Sequence, residues 1–161
     1  MDKADFTSRV LSAENSLYRI AKCVLIHDAD CEDAVQETIL RAWEKRDTLR
    51  QPEYFKTWLT RILINECNRL ARKRPDTVDI ETCGTLAAPD GGKVDMELRE
   101  SLLGLPRKLR TAVVLYYIEG YSVQETARLT RVPEGTVKSR LSRARSLLWA
   151  SLSDTQDGGN V

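Results

Sequence analysis

A chain of 161 residues is long enough for one domain or two small ones, and a 42% hydrophobic, 30% charged composition excludes a wholly disordered chain. No apolar run reaches the ~18 to 20 residues a membrane-spanning helix needs, and "MDKADFTSRV" lacks the basic-then-apolar layout of a signal peptide, so the expected location is the cytoplasm. The net charge of +1 conceals an uneven distribution: residues 1–75 carry 14 basic and 12 acidic groups, residues 76–95 carry 1 and 5, and residues 96–161 carry 10 and 7.

Aliphatic and helix-favouring residues dominate, which predicts an all-α protein. The first predicted helices run from about Phe6 to Ile26 and from Cys31 to Leu49. On the second, Val35, Ile39, Ala42 and Trp43 form a core stripe, whereas Asp33, Glu37, Leu40 and Glu44 share another face. An acidic face interrupted by leucine suits a basic, partly apolar partner, or plain solvent. The third helix is predicted from about Glu53 to Arg74. Phe55, Trp58, Leu59, Ile62, Leu63, Leu70 and Ala71 give it a face to bury, and Thr57, Arg61, Asn65, Asn68 and Arg72 align along the opposite one. Arg69, Arg72, Lys73 and Arg74 add positive charge at the helix end, where cations suit the macrodipole.

"PDTVDIETCGTLAAPDGGKVD", Pro75 to Asp95, has two prolines, three glycines and no helical apolar period, and reads as a flexible acidic linker. The expected architecture is therefore two small helical domains, 1–74 and 96–161, joined by residues 75–95. Four helices are predicted after the linker, near Met96–Leu103, Arg107–Glu119, Val123–Arg131 and Glu134–Leu152, with a short C-terminal tail.

"EGYSVQETARLTRVPEGTVKSRLSRARSLLW" has the layout of a helix-turn-helix. Ser122 and Glu125 form an S-x-x-E capping box, after which Val123, Ala127 and Leu129 face inward. In the turn "RVPEG", Pro133 starts the next helix, and Gly135 and Thr136 ease its first turn. On that helix Val137, Leu141, Ala144 and Leu148 have core spacing. Lys138, Ser139, Ser142 and Arg143 then point outward towards base edges, while Arg140 and Arg145 fall to the flanks. Arg128 and Arg131, with Arg140 and Arg145, suit phosphate contact. A ligand-free basic helix, or one lying on a membrane surface, has no need of the capped helix before it.

These residues resemble a known family. "LPRKLRTAVVLYYIEGYSVQETARLTRVPEGTVKSRLSRARSLL" is similar to region 4 of extracytoplasmic-function, or group IV, sigma factors of the sigma-70 family. "DCEDAVQETILRAW" resembles the region 2 helix that docks on the β′ clamp helices of RNA polymerase, and "FKTWLTRILINECNRLARKR" resembles the segment that opens and reads the −10 element. The resemblance implies a factor that binds core RNA polymerase, through the β′ clamp helices and the β flap, and directs initiation at promoter DNA. It also implies an anti-sigma partner, which can hold the factor at the membrane. It implies no small-molecule substrate and no cofactor.

Carried over by position, Asp33, Gln36 and Glu37 match the polymerase-docking residues. Arg61, Asn65, Asn68 and Arg69 cover the −10 surface, with Asn65 aligned to the residue that holds an everted base. Lys138, Ser139, Ser142 and Arg143 match the −35 readers. Ser142 replaces a bulkier residue of relatives, and Asn68 and Arg69 sit where the family varies. The linker matches the segment that threads the polymerase near the RNA exit path.

A stand-alone regulator with a LuxR-type helix-turn-helix shares the C-terminal pattern, but the order "DAVQETILRAW" then "TWLTRILIN" carries no receiver-domain strands. A metal switch is the other rival: Cys23, His27 and Cys31 fall at i, i+4 and i+8, with Cys67 as the fourth ligand. Half-buried, reduced cysteines are the expectation, since Cys23, Cys31, Cys67 and Cys83 contain no CxxC pair. An enzyme is the least supported class, because the single histidine has no nucleophile–base partner and there is no Gly-rich phosphate loop.

Overall fold

Seven α-helices, joined by short 3-10 and π-helical turns, make up the computed structural model, which describes residues 1–74 and 95–159; no strand occurs among them. The chain divides into two compact units, Met1–Asp95 and Met96–Val161. All but Asp95 of the expected linker, including Cys83, lies outside the described residues.

The first unit is a three-helix bundle of α1 (Lys3–Val24), α2 (Asp28–Glu44) and α3 (Phe55–Lys73), each packed on the other two. Asp2 caps α1 by accepting the Asp5 N–H at 2.8 Å. Helix α1 stops at Val24, two residues earlier than predicted, because Leu25 turns extended while its N–H returns to the Ala21 carbonyl. Helix α2 then starts three residues earlier than predicted. Asp28 and Asp30 stand in its first turn, where carboxylates suit the positive end of the macrodipole.

The break at Leu25 rules out one continuous helix face holding Cys23, His27 and Cys31. Cys23 belongs to α1, His27 is the N-cap position of α2, and Cys31 donates its thiol to the Ala21 carbonyl at 3.3 Å. The i, i+4, i+8 relation therefore spans two helices, and no metal-holding cluster occurs among the described residues.

Leu17, Ile20, Val35, Leu59 and Leu63 are the centre of this bundle, each at most 1% exposed. Burying side chains of this size supplies roughly 1.5–3 kcal/mol apiece. Around them the aromatics join edge to face: Phe6 lies 5.1 Å from Trp43 and 5.9 Å from Phe55. Trp43 is half buried, and the Arg46 guanidinium covers its ring at 3.7 Å. That stacking follows the end of α2 at Glu44; a 3-10 turn, Arg46–Thr48, replaces the helical continuation expected to Leu49. A second 3-10 turn, Pro52–Tyr54, leads into α3.

In the second unit α4 (Met96–Leu103) packs on α5 (Arg107–Val113), and α5 and α6 (Val123–Thr130) both pack on α7 (Glu134–Gly159). Residues Val114–Ile118 continue α5 as a π-helical turn, closed by the Glu119 N–H bonding to the Val114 carbonyl at 2.9 Å. Gly120 follows at φ 80°, a left-handed setting that favours glycine. Both bonds of the capping box form: Glu125 N–H donates to Ser122 Oγ at 3.0 Å, and Ser122 N–H donates to Glu125 Oε2 at 3.1 Å. Val137, Leu141 and Ala144 are buried, and Leu148 is half buried. Helix α7 continues past Leu152 to Gly159.

The turn between α6 and α7 differs from the expectation in one respect. Gly135 is an ordinary helical position whose added Cβ meets nothing within 4 Å. The left-handed residue is instead Arg131, at φ 59° and ψ 44°. Its N–H and that of Val132 both return to the Ala127 carbonyl, while the Pro133 carbonyl accepts the first bonds of α7. Left-handed backbone costs an L-residue roughly 1–2 kcal/mol, and a β-branched one more. Arg131→Gly is therefore expected to leave the unfolding free energy unchanged or raise it by up to ~1 kcal/mol, and Arg131→Val to lower it by ~1 kcal/mol or more. Urea denaturation followed by circular dichroism measures both.

Candidate nucleic-acid interface

The buried stripe of α7 fixes which residues it presents. With Val137, Leu141 and Ala144 turned into the core, Lys138, Ser139, Ser142 and Arg143 emerge on the opposite side, all exposed. They occupy the first two to three turns of the helix, the part that reaches base edges when a recognition helix enters a major groove. Ser139 also donates its hydroxyl to the Thr136 carbonyl at 3.3 Å. No acidic side chain other than Glu134 stands on α7 before residue 154.

The flanking arginines differ from one another. Arg128 and Arg131 are exposed on α6 and its following turn, and Arg140 is half buried. Arg145 is exposed but engaged: its Nη1 donates to the Tyr117 hydroxyl at 2.8 Å. Tyr117 belongs to the π-helical turn and is itself 52% exposed. Nothing in the sequence announces that pairing, because the wider turn re-aims Tyr117 relative to an α-helical continuation.

In the first unit the polar stripe of α3 lies where the periodicity puts it. Arg61, Asn65 and Arg72 are exposed, and Thr57 and Asn68 are half buried. Arg72 bonds back to the Asn68 carbonyl at 3.2 Å, and Arg74 approaches Asp30 at 3.8 Å. Just before this stripe, Thr48, Leu49, Arg50, Gln51, Tyr54 and Trp58 line an open pocket of about 330 Å³. Trp58 stands one turn ahead of Arg61 on α3.

Arg69 is not on that stripe. Its Nε bonds to Glu66 Oε2 at 2.9 Å, and Glu66 Oε1 forms an ion pair with Arg41 on α2, 2.7 Å from its Nε. The Glu66 side chain is 5% exposed, a buried carboxylate that the sequence reading missed. Its signal was available: Glu66 follows Leu63 by three residues and lies on the apolar side, where an acid is unexpected unless paired.

The acidic face of α2 presents Asp33, Gln36 and Leu40, with Leu40 59% exposed, and Glu37 half exposed beside them. Glu37 accepts from Arg41 at 3.2 Å, and Gln36 donates to Glu32 at 3.1 Å. Glu32 also accepts from the Tyr18 hydroxyl at 3.3 Å; burial and then that carboxylate push the phenol's pKa above its ordinary value.

Comparison with known proteins agrees with both units. The models for Sigma-70 region 2 and Sigma-70 region 4 match residues 10–76 and 95–148. The chain is 32% identical to the ECF RNA polymerase sigma factor SigW of Bacillus subtilis, over 95% of this chain and 91% of the relative. Identity is also 32% to the ECF RNA polymerase sigma factor SigM of Mycobacterium tuberculosis, over 99% and 83%. Among solved structures, the sigma factor RpoE of Bartonella quintana, in complex with the anti-sigma factor NepR, is similar at TM-score 0.77 and 30% identity, covering 92% of this chain and 97% of that one. CnrH, in complex with the cytosolic domain of CnrY, is similar at TM-score 0.73 and 27% identity, over 95% and 90%. Two family regions in order, and relatives matched over nearly their whole length, establish that the chain belongs to the sigma-70 family, in its extracytoplasmic-function group.

Proposed function

We propose that the chain binds core RNA polymerase through the α2 face and directs promoter-specific initiation with two separate DNA-reading surfaces, one in each unit. As a member of the sigma-70 family it acts in promoter-directed transcription initiation by RNA polymerase. The observation that carries the residue-level reading is that each family region leaves one polar helix face exposed beside a buried stripe.

In this reading residues 1–74 dock on polymerase and read the −10 element, residues 75–95 connect, and residues 96–161 read the −35 element. Asp33, Gln36, Glu37 and Leu40 meet the β′ clamp helices, acid and leucine together suiting a basic, partly apolar surface. Arg61 and Asn65 receive the opened strand. Asn68 borders them, and the open pocket lined by Tyr54 and Trp58 has the aromatic surface that an unstacked base requires. Lys138, Ser139, Ser142 and Arg143 read −35 base edges; Arg128, Arg131 and Arg140 contact phosphate. Arg145 joins them only by giving up Tyr117.

Chemistry is left to the polymerase, so the chain is not itself an enzyme and uses no cofactor. An anti-sigma partner, of the kind seen with RpoE, is proposed to hold it inactive in the cytoplasm. No helix among the described residues is long and apolar enough to cross a membrane.

Run-off transcription with bacterial core polymerase over genomic fragments tests the function, and absence of promoter-specific initiation on every fragment sinks it. Asp33→Arg combined with Leu40→Asp is expected to weaken core binding at least ~30-fold, about 2 kcal/mol, with an unchanged melting curve. Pull-down titration with core polymerase measures this. In holoenzyme binding to a selected promoter, Arg143→Ala should cost ~1–3 kcal/mol and relax the preference at one −35 position. Arg128→Ala should weaken binding uniformly and reduce the salt slope by ~1.

A further inference from the structure

Glu66 is the centre of a four-residue chain of charges that crosses from α2 to α3. Arg41 Nε donates to Glu37 Oε1 at 3.2 Å and also lies 2.7 Å from Glu66 Oε1, so one guanidinium charge is shared between two carboxylates. Arg69 Nε lies 2.9 Å from Glu66 Oε2, so both oxygens of the buried acid are taken. The outer members of the chain are accessible: the side chains of Glu37 and Arg69 are 39% and 38% exposed. Glu37 stands on the face assigned to polymerase, and Arg69 borders the face assigned to −10 DNA.

We infer that Glu66 is a positioning residue that withholds Arg69 from DNA in the free protein and yields it when polymerase takes Glu37. The inference rests on the proposed docking and −10 surfaces. A carboxylate buried to this degree needs its partners, because removing them strands a charge in a medium that solvates it poorly. While Arg41 divides its charge between Glu37 and Glu66, Arg69 supplies the remaining neutralisation and its guanidinium stays on Glu66. A basic group of the polymerase that pairs with Glu37 leaves Arg41 wholly to Glu66. Glu66 then binds Arg69 less tightly, and the guanidinium rotates towards phosphate at the cost of one exposed ion pair. Because binding linkage is reciprocal, DNA held by Arg69 in turn favours docking through Glu37.

Arg69 is therefore an arginine whose charge DNA does not feel until docking, in contrast to Arg61, whose side chain is exposed with no ion pair among the described residues. Sequence position alone made the two equivalent members of one surface. Geometry separates them.

The test uses full-length protein and a fluorescein-labelled dT20 strand, followed by anisotropy over a salt series, with and without core polymerase. In free protein Arg69→Gln should leave both affinity and salt slope unchanged, whereas Arg61→Gln should lower both. Glu66→Gln keeps the shape and removes the charge; it should steepen the slope by about 0.7, one single-strand phosphate, and tighten binding about fivefold at 0.1 M salt. Adding Arg69→Gln to Glu66→Gln should erase that gain, and adding Arg41→Gln should not. In the holoenzyme Arg69→Gln should become costly, by about the same factor. Equal losses from Arg69→Gln in free protein and holoenzyme overturn the inference, as does a Glu66→Gln gain that vanishes with Arg41 and persists without Arg69. Should Glu66→Gln melt early, the Arg69→Gln comparison decides alone. Failure here leaves promoter-directed initiation intact, since the run-off assay reads that separately.

Discussion

The constraint on which everything else depends is rotational: each reading helix buries one narrow apolar stripe, and that burial sets the angle at which its polar side faces out. For α7 the stripe is Val137, Leu141 and Ala144, each at most 3% exposed. A turn of the helix by one residue carries Ser142 towards the core and loses several kcal/mol of burial, so Lys138, Ser139, Ser142 and Arg143 have one available direction. The same holds on α3, where Leu59, Leu63, Cys67 and Ala71 are buried and Arg61 and Asn65 are left outside. Specific recognition requires side chains held within a small angular range, and here the core supplies that holding.

Charges buried inside the two units extend the same logic. In the first, Glu66 ties α2 to α3 through Arg41 and Arg69. In the second, Arg110 is 1% exposed and donates to the Leu105 carbonyl at 2.8 Å, bracing the start of α5 against the end of the α4 turn. Groups of this kind contribute more to a single arrangement than to raw stability, since a shift of either helix leaves a charge without its partner. The Tyr117–Arg145 bond serves α7 comparably, fixing a flank of the reading helix to the π-helical turn.

Much of the fold was legible because its signals are local. The capping box of Ser122 and Glu125, the apolar periods of α3 and α7, and the absence of a strand pattern each follow from neighbours within a few residues. What was misread depends on backbone geometry that neighbours do not specify. The end of α1 at Val24 and the start of α2 at Asp28 were each misplaced by a few residues, and the i, i+4, i+8 spacing of Cys23, His27 and Cys31 says nothing of the break between them. The π-helical turn and the left-handed Arg131 were invisible for a related reason: both settings occur in residue types that elsewhere stay α-helical. The π turn then decided where Tyr117 points, and so which partner Arg145 finds.

The candidate surfaces divide in the same way. Which residues can carry nucleic-acid chemistry, and which faces of α2, α3 and α7 they share, followed from charge, hydrogen-bonding capacity and a period of 3.6 residues. By itself the sequence determined the helical class, the two-part order of sigma regions and the polar stripes, because all three are written in residue type and spacing. Only the tertiary structure decided that Glu66 meets Arg41 of α2 and that Arg145 belongs to Tyr117. Those pairings join residues on different helices or re-aim them around a single turn, and distance in space is the one quantity that spacing along a helix does not contain.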